Sequence, residues 1–213
     1  MQTLINYYIT VCYKDIDLFI VLDSSSSITE GPYNIAKKFV ADLVSGFTIG
    51  ENDVRVGVVV YGSSARMEFY LNDSFDKTVV LNKIRNIPYL NSATATGDAI
   101  KRMVNTGFTE ARGARSPDLA IPRVGIVMTD GKSNTGIDVH TAAQAARNKS
   151  IEMFAFGIGN KINDEELLEI AGSRERKFII DSFANIDDAR ALIAQKSCKG
   201  ILILYMYHIL GNF

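Results

Sequence analysis

Two apolar runs that each end in a carboxylate constrain the fold of this 213-residue chain more than any other feature. Residues 18–22 lead into Asp23, and residues 124–128 lead into Thr129 and Asp130. Short runs without polar alternation are typical of parallel strands that are buried on both faces. We therefore expect two central strands whose carboxyl ends place acidic side chains at one edge of a sheet.

Strand and helix patterns alternate through the middle of the chain. Ile35, Phe39 and Leu43 predict the buried face of the first helix, with Pro32 in its first turn. The strand at 66–71 follows a tight turn and should pair antiparallel with the strand before it. The predicted strands are 17–23, 54–61, 66–71, 123–130, 151–158 and 177–180, and the predicted helices are 31–47, 75–85, 97–106, 139–149, 164–171 and 185–194.

This alternation predicts an α/β fold of the Rossmann-like, doubly wound type. We expect a mostly parallel central sheet of about six strands, with one antiparallel edge strand and helices on both faces. The domain should cover residues 15–198, with an N-terminal flank at 1–14 and an apolar C-terminal tail at 199–213.

Composition narrows the class of protein further. Hydrophobic residues make up 47% and charged residues 22%, as in folded globular domains. The net charge of −1 gives no sign of a nucleic-acid or anionic-membrane partner.

The apolar stretch 201–210 is too short to span a bilayer, which needs about 20 residues. The N-terminus lacks the basic region and cleavage site of a signal peptide.

Three hydrophilic clusters, at 23–27, 94–98 and 129–131, lie at strand ends or helix starts. Ligands of open α/β sheets bind beyond the carboxyl ends of the strands, so these clusters should meet at one rim. All the side-chain donors they offer are oxygens, which select Mg²⁺, Mn²⁺ or Ca²⁺ and disfavour zinc or copper. Two carboxylates are too few for a closed calcium cage. Mg²⁺ with an open coordination position is therefore favoured, and an acidic side chain of a partner would fill that position.

Each cluster taken alone is more typical of a structural role. A serine run after a strand usually forms a loop or a helix N-cap. Asp130 followed by Gly131 usually forms a turn. Only the joint occurrence of the three clusters, each at a predicted strand end or helix start, favours a metal site.

Asp23, Ser25 and Ser27 in the spacing Asp-x-Ser-x-Ser, followed by Thr94 and Asp130, resemble the metal-ion-dependent adhesion site of von Willebrand factor type A domains. The resemblance covers about residues 15–198 and is nearest to the A domains of matrilins and of non-fibrillar collagens such as type VI. It implies that Ser25 and Ser27 ligate the metal through their hydroxyls. Thr94 would do so directly or through water, and Asp23 and Asp130 would bind directly or hold metal-bound waters.

The resemblance implies a non-enzymatic adhesion module that is secreted into the extracellular matrix. Such a module would bind matrix proteins, collagen or another component, through Mg²⁺, with Mn²⁺ or Ca²⁺ as alternatives. An acidic residue of the ligand would complete the coordination. The alternative is an intracellular scaffold built on the same domain. An enzyme that uses Mg²⁺ for phosphoryl transfer would need a phosphate cradle, a general base or a second metal site, and the sequence predicts none.

Two cysteines, Cys12 and Cys198, lie on either side of the predicted domain. In the family's fold these two ends lie close together, opposite the metal site, and similar cysteines are joined in matrilin-like members. The resemblance therefore implies a Cys12–Cys198 disulfide and an oxidising compartment. Two free thiols would instead favour the intracellular scaffold.

Three further features leave alternatives open. The basic residues Lys101, Arg102, Arg112, Arg115 and Arg123 predict a solvated face, with glycosaminoglycan binding as the alternative. The glycosylation motifs at 72–74 and 148–150 are near the number expected by chance, and they only permit an extracellular location. The last predicted helix, 185–194, corresponds to one whose movement is coupled to the metal site in integrins. Here a switch and a rigid binder are equally compatible with the sequence.

Overall fold

The computed structural model describes residues 8–10, 15–130, 132–158, 162–180, 193 and 201–203. Strands and helices alternate through the described chain, as the sequence predicts. The strands are β1 (Tyr8–Thr10), β2 (Ile16–Asp23), β3 (Val54–Tyr61), β4 (Ala65–Phe69), β5 (Arg123–Thr129), β6 (Ile151–Ile158), β7 (Lys177–Ile180) and β8 (Ile201–Ile203). The helices are α1 (Glu30–Ser45), α2 (Lys77–Arg85), α3 (Thr96–Arg102), α4 (Val139–Asn148) and α5 (Asp164–Ala171).

The central sheet has six strands in the order β4-β3-β2-β5-β6-β7. Every neighbouring pair is parallel except β3 and β4, which pair antiparallel at one edge. The predicted fold class is therefore confirmed, including the single antiparallel edge strand. The helix expected at 97–106 is shorter than predicted: α3 ends at Arg102, and the chain continues as a π-helical turn, Met103–Gly107.

The apolar core lies on both faces of the sheet. Leu18, Ile20 and Leu22 of β2 belong to the cluster that contains the buried side of α1. Phe19 and Val21 belong to the cluster on the other face, which contains residues of α3, α4 and α5. Since successive side chains of a strand point to opposite faces, an unbroken apolar run is what a strand between two layers requires.

The predicted inner face of α1 needs a correction at Ile35. Phe39 and Leu43 are buried as expected, but Ile35 is 48% exposed. The buried stripe is centred on other positions, because a helix turns by about 100° per residue and Ile35 lies outside the arc that faces the sheet. The buried residues of α1 are Tyr33, Ala36, Phe39, Val40, Ala41, Leu43 and Val44.

Phe19, in the middle of β2, explains two glycines. Its ring is fully buried and meets the ring of Phe108 edge to face at 5.0 Å between centroids. A β-carbon added at Gly57 of β3 or at Gly107 of the π-helical turn would collide with this ring. The two glycines therefore allow the sheet and the turn to close on a large aromatic side chain.

The strand register brings the polar loops to one rim. Asp23 pairs with Tyr61 of β3, and Leu22 pairs with Met128 of β5. Asp23 and Thr129 are therefore neighbours at the carboxyl ends of adjacent parallel strands. The loops that follow β2, β3 and β5 all leave the sheet at this edge.

A buried ion pair lies at the amino ends of the strands, on the side of the sheet opposite the polar loops. Arg115 Nη1 lies 3.3 Å from Asp17 Oδ1, and the backbone N–H of Arg115 donates to Asp17 Oδ2 at 2.7 Å. The Arg115 guanidinium also donates to the carbonyls of Glu51 and Asp53. Burial raises the pKa of Asp17 and lowers the pKa of Arg115. The expectation that Arg115 forms part of a solvated basic face is wrong, because its side chain anchors the loop before β5 to β2 and to the segment before β3.

The two flanks of the domain meet in a short antiparallel ribbon. Tyr8 pairs with Ile203 and Thr10 with Ile201, so β1 and β8 form a two-stranded sheet of their own. Cys12, Cys198 and most of the helix predicted at 185–194 lie outside the described residues. Ile193 of that helix is described, and it is buried in the core cluster that contains α1.

No helix within the described residues is long and apolar enough to cross a membrane.

Replacing Asp17 by alanine should lower the free energy of unfolding by about 3–5 kcal/mol, because it leaves the buried Arg115 guanidinium without its counter-charge. Asp42→Ala is the matched control, since it breaks the exposed Lys38–Asp42 ion pair of α1 and should cost less than about 1 kcal/mol. Urea denaturation followed by circular dichroism measures both. Equal losses in the two variants would contradict the structural role of the buried pair.

Candidate metal centre

Asp23 is the innermost residue of the candidate site. Its side chain is fully buried at the carboxyl end of β2. The backbone N–H of Ser25 donates to Asp23 Oδ1 at 2.9 Å, and Thr129 Oγ1 donates to Asp23 Oδ2 at 2.8 Å. Both donors are neutral, so they orient the carboxylate without balancing its charge.

A chain of hydroxyls joins the loop after β2 to the end of β5. Ser25 Oγ lies 2.9 Å from Ser27 Oγ, and Ser27 Oγ donates to Asp130 Oδ1 at 2.8 Å. Four of the five predicted ligands are therefore connected, since Asp23 holds the backbone of Ser25. The Asp-x-Ser-x-Ser spacing suits this arrangement, because Ser25 and Ser27 are alternate residues of one loop and their hydroxyls lie 2.9 Å apart.

The electrostatics of this group favour a cation. Burial raises the pKa of Asp23, and the charge of nearby Asp130 raises it further. None of the ion pairs in the described part of the chain includes Asp23. Nor do three or more His, Cys, Asp or Glu side chains converge anywhere in that part. Any cation here would therefore be held by two carboxylates supplemented with hydroxyls, the all-oxygen set that the sequence predicts.

Thr94, the fifth predicted ligand, is carried to the same rim by its loop. The segment before it runs beside the serine loop, where the N–H of Ser26 donates to the carbonyl of Ser92 at 2.7 Å. The N–H of Ala95 donates to the carbonyl of Gly62 at the end of β3 at 2.9 Å. Thr94 is 3% exposed, and its hydrogen bonds in the described structure are made by its backbone.

The loop at 132–137 holds Thr94 from the other side. The carbonyl of Thr94 accepts hydrogen bonds from the backbone N–H groups of Asn134 and Thr135, at 3.0 and 3.2 Å. The N–H of Thr94 donates to Asn134 Oδ1 at 3.1 Å. A β-carbon at Gly97 would collide with the carbonyl of Ile137, so the glycine allows α3 to begin against this loop. The residues that fix Thr94 thus follow Asp130 along the chain.

Glu166, in the first turn of α5, is a site residue that the sequence analysis missed. It is 6% exposed, and its Oε2 accepts a hydrogen bond from the N–H of Ser133 at 2.8 Å. The hydroxyl of Ser133 in turn donates to the carbonyl of Thr94 at 3.2 Å and accepts from the N–H of Thr96 at 3.2 Å. Burial raises the pKa of Glu166. A glutamate in a helix N-terminal turn is common, so only its burial in the fold reveals the connection.

The structure is thus a doubly wound α/β domain with hydroxyls and two carboxylates at the carboxyl ends of its strands, a set of oxygens that could hold a cation. The family model of the von Willebrand factor type A domain matches residues 17–192 of this chain. The chain belongs to the von Willebrand factor type A domain family.

The relatives include matrix and adhesion proteins. Transmembrane cell adhesion receptor mua-3 of Caenorhabditis elegans is 39% identical over 89% of this chain and 5% of its own length. Chicken (Gallus gallus) matrilin-1 is 35% identical over 86% of this chain and 36% of its own length. The human (Homo sapiens) collagen alpha-6(VI) chain is 36% identical over 86% of this chain and 8% of its own length. The likeness to matrilins and type VI collagens is thereby confirmed, and this chain spans between 5% and 36% of the length of these three proteins.

A solved structure shows the same fold with a metal in the corresponding motif. Proximal thread matrix protein 1 from the mussel byssus, with a zinc-occupied metal-ion-dependent adhesion site, superposes with a TM-score of 0.77 at 28% identity. The match covers 86% of this chain and 48% of the mussel protein.

Glu166→Ala should destabilise the metal-free domain by about 1–3 kcal/mol, because the backbone N–H of Ser133 loses its acceptor. Glu166→Gln retains an oxygen at the same place, so its loss should be smaller. Urea denaturation in EDTA measures both variants.

Glu165→Ala is the matched control, since Glu165 is the exposed neighbour in the same helical turn. Its effect on unfolding should lie within about 0.5 kcal/mol. If Glu166→Ala were as mild as Glu165→Ala, the link between α5 and the Thr94 loop would contribute nothing to stability.

Proposed function

We propose that this domain is an extracellular adhesion module that binds protein ligands through a divalent cation. The ligands of that cation would be Asp23, Ser25, Ser27, Thr94 and Asp130. The hydrogen-bonded chain from Ser25 through Ser27 to Asp130 is the observation that carries this proposal. It aligns hydroxyl oxygens next to the buried carboxylate of Asp23, whose hydrogen-bond donors within the described residues are neutral.

The residues present fit a cation on chemical grounds. A serine that ligates a metal offers an oxygen lone pair and must send its proton elsewhere. Ser27 already donates its proton to Asp130 Oδ1, so in its contact with Ser25 it accepts the Ser25 proton, and each of the two hydroxyls keeps a lone pair for a cation. A cation would also offset the repulsion between Asp23 and Asp130, which burial strengthens. When bound, it would act as a Lewis acid toward an oxygen ligand.

Mg²⁺ is the cation that this donor set favours, with Mn²⁺ and Ca²⁺ as alternatives. The protein offers two carboxylates and three hydroxyls, and Mg²⁺ commonly keeps waters that an incoming ligand can displace. An all-oxygen donor set is expected to disfavour zinc. The related mussel protein nevertheless holds zinc at its metal site, so zinc is to be tested as a competing ion. Competition between Mg²⁺ and Zn²⁺ at fixed pH would rank the two ions for this chain.

The ligand would be a protein of the extracellular matrix, collagen or another component. The relatives named above include a cell adhesion receptor, a matrilin and a collagen chain, which supports this class of partner. An acidic side chain of the matrix protein would supply the last oxygen of the coordination sphere. The domain would act by binding alone and would catalyse no reaction.

Asp130→Ala should abolish saturable Mn²⁺ binding and, with it, Mg²⁺-dependent binding to immobilised matrix proteins. The substitution removes one of two carboxylates, and each supplies charge that neutral hydroxyls cannot replace. Isothermal titration calorimetry measures the metal, and a panel of matrix proteins probed with Mg²⁺ or EDTA measures the ligand. Matrix binding that persists in EDTA would contradict the proposed mechanism.

Asp118→Asn is the control for this experiment, because it removes an exposed carboxylate in the loop before β5. Its metal affinity should equal that of the unmodified domain. Ser25→Ala should weaken Mn²⁺ binding, whereas Ser64→Ala, at an exposed turn position after β3, should not. Metal binding indifferent to both Asp23→Ala and Ser25→Ala would exclude the assigned ligands.

We also propose that Cys12 and Cys198 form a disulfide across the flanks of the domain. The antiparallel pairing of Thr10 with Ile201 supports it, because Cys12 follows by two residues and Cys198 precedes by three. The pairing therefore brings the two flanks together within three residues of each cysteine, and a disulfide joins α-carbons about 4.4–6.8 Å apart. Such a bond belongs to an oxidising compartment and favours the extracellular module over an intracellular scaffold.

Mass spectrometry of secreted protein, alkylated without reduction, should find no free thiol. Reduction should lower the free energy of unfolding, by at most about 5 kcal/mol on the chain-entropy model for so long a loop. Cys12→Ser/Cys198→Ser, unfolded without reductant, should match the reduced protein. Two alkylated thiols in the unreduced protein would refute the disulfide and would favour the intracellular alternative.

A further inference from the structure

A basic pocket lies at the amino ends of the strands, on the side of the sheet opposite the candidate metal centre. Its volume is about 780 Å³, and it opens between the loop before β5, the turn between α4 and β6, and the start of β7. Four cationic residues, Arg123, Arg147, Lys149 and Arg176, contribute to its lining. Among the described residues of the lining, Glu152 is the single acidic one.

Neutral groups hold the cationic side chains in place. Arg147 Nη1 donates to the carbonyls of Glu169 and Ile170, both at 2.9 Å, and Arg176 Nε donates to the carbonyl of Ala171 at 3.0 Å. Two guanidinium groups thus bind consecutive carbonyls at the carboxyl end of α5.

The other two cations are held in the same way. Arg123 Nη2 donates to the carbonyl of Arg115 at 2.8 Å, and Lys149 Nζ donates to Asn105 Oδ1 at 3.0 Å. None of the four takes part in an ion pair within the described residues.

The positive charge at the carboxyl end of α5 exceeds what the helix dipole offsets. The carboxyl end of a helix carries about half an elementary negative charge, whereas Arg147 and Arg176 bring two positive charges to the end of α5. Burial lowers the pKa of Arg147, and the charge of Arg176 lowers it further. An anionic ligand would relieve this repulsion, and the side chains that would bind it are already positioned.

Glu152 adds a requirement that a simple anion does not meet. Its Oε2 is buried, and no hydrogen-bond donor of the described structure contacts it. Glu152 as a whole is half-buried and lines the pocket, so a ligand hydroxyl would bond to the part of its carboxylate that faces the pocket rather than to the buried oxygen. A ligand with both anionic groups and hydroxyls matches the four cations and the single carboxylate together.

We propose that this pocket binds an acidic polysaccharide, with sulfate or carboxylate groups at the cations and a sugar hydroxyl at Glu152. The choice of ligand class rests on the extracellular location proposed above, and the site is separate from the metal centre. It also differs from the basic face expected from sequence, because Arg115 is buried and Arg147, Lys149 and Arg176 were not part of that face.

Isothermal titration with a heparin-derived octasaccharide in EDTA tests the proposal, since binding at this pocket needs no metal. The protein is prepared in the bacterial periplasm, where Asn148 of the glycosylation motif at 148–150 carries no glycan. Lys149→Gln/Arg176→Gln should weaken binding by about tenfold or more, because charge-assisted hydrogen bonds are lost. Lys101→Gln/Arg102→Gln, an equal charge change at two exposed residues of α3, should leave the affinity within about twofold.

Glu152→Ala separates recognition of a sugar from general attraction between charges. Removing a negative charge strengthens the binding of any polyanion held by charge alone. The proposal requires the opposite, a weaker octasaccharide complex, because the sugar hydroxyl loses its acceptor. Thermal unfolding of each variant shows whether it is folded. Tighter binding by Glu152→Ala, equal weakening by the α3 control, or no binding by the unmodified domain would each overturn the proposal. Loss of the metal site alone would leave octasaccharide binding unchanged.

Discussion

Burial of β2 along its whole length is the constraint on which the rest of the structure depends. All eight of its residues are buried between two layers of helices, and it carries an aspartate near each end, Asp17 and Asp23. A buried carboxylate is expensive unless it is hydrogen-bonded and its charge is compensated. The fold therefore has to provide partners at both edges of the sheet, and it does so differently at the two ends.

At the amino end of β2 the chain supplies the compensating charge itself. Arg115 reaches Asp17 from the loop before β5 and ties three segments together, which makes this end structural. At the carboxyl end, the donors to Asp23 within the described part of the chain are neutral, and Asp130 lies nearby. This difference in charge is the reason for proposing a cation, and with it a ligand, at the carboxyl end. The amino ends of the strands thus carry a structural ion pair, and the carboxyl ends carry the proposed binding site.

Much of the architecture was predictable because strands buried on both faces leave a strong pattern. The bounds of β3, β6, α5 and β7 agree with prediction, since Gly, Asn and Asp residues mark their ends. Asp-x-Ser-x-Ser was informative because its three side chains are close in sequence. Ile35 was misplaced because three apolar residues at helical spacing do not define the centre of a buried stripe. Arg115 was misread because a loop arginine is normally solvated, and only long-range packing buries it.

The sequence by itself determined the fold class, the family resemblance and the oxygen character of the candidate site. These follow from local patterns: apolar runs, turn residues, and hydroxyls spaced around an aspartate. Tertiary structure decided which groups meet across long stretches of chain. Ser27 contacts Asp130, Glu166 reaches Thr94 through Ser133, and Arg147 and Arg176 converge on the end of α5. Such contacts depend on the order of the strands and the placement of the helices. Both are set by how the chain as a whole buries its apolar side chains, so a short segment of sequence cannot reveal them.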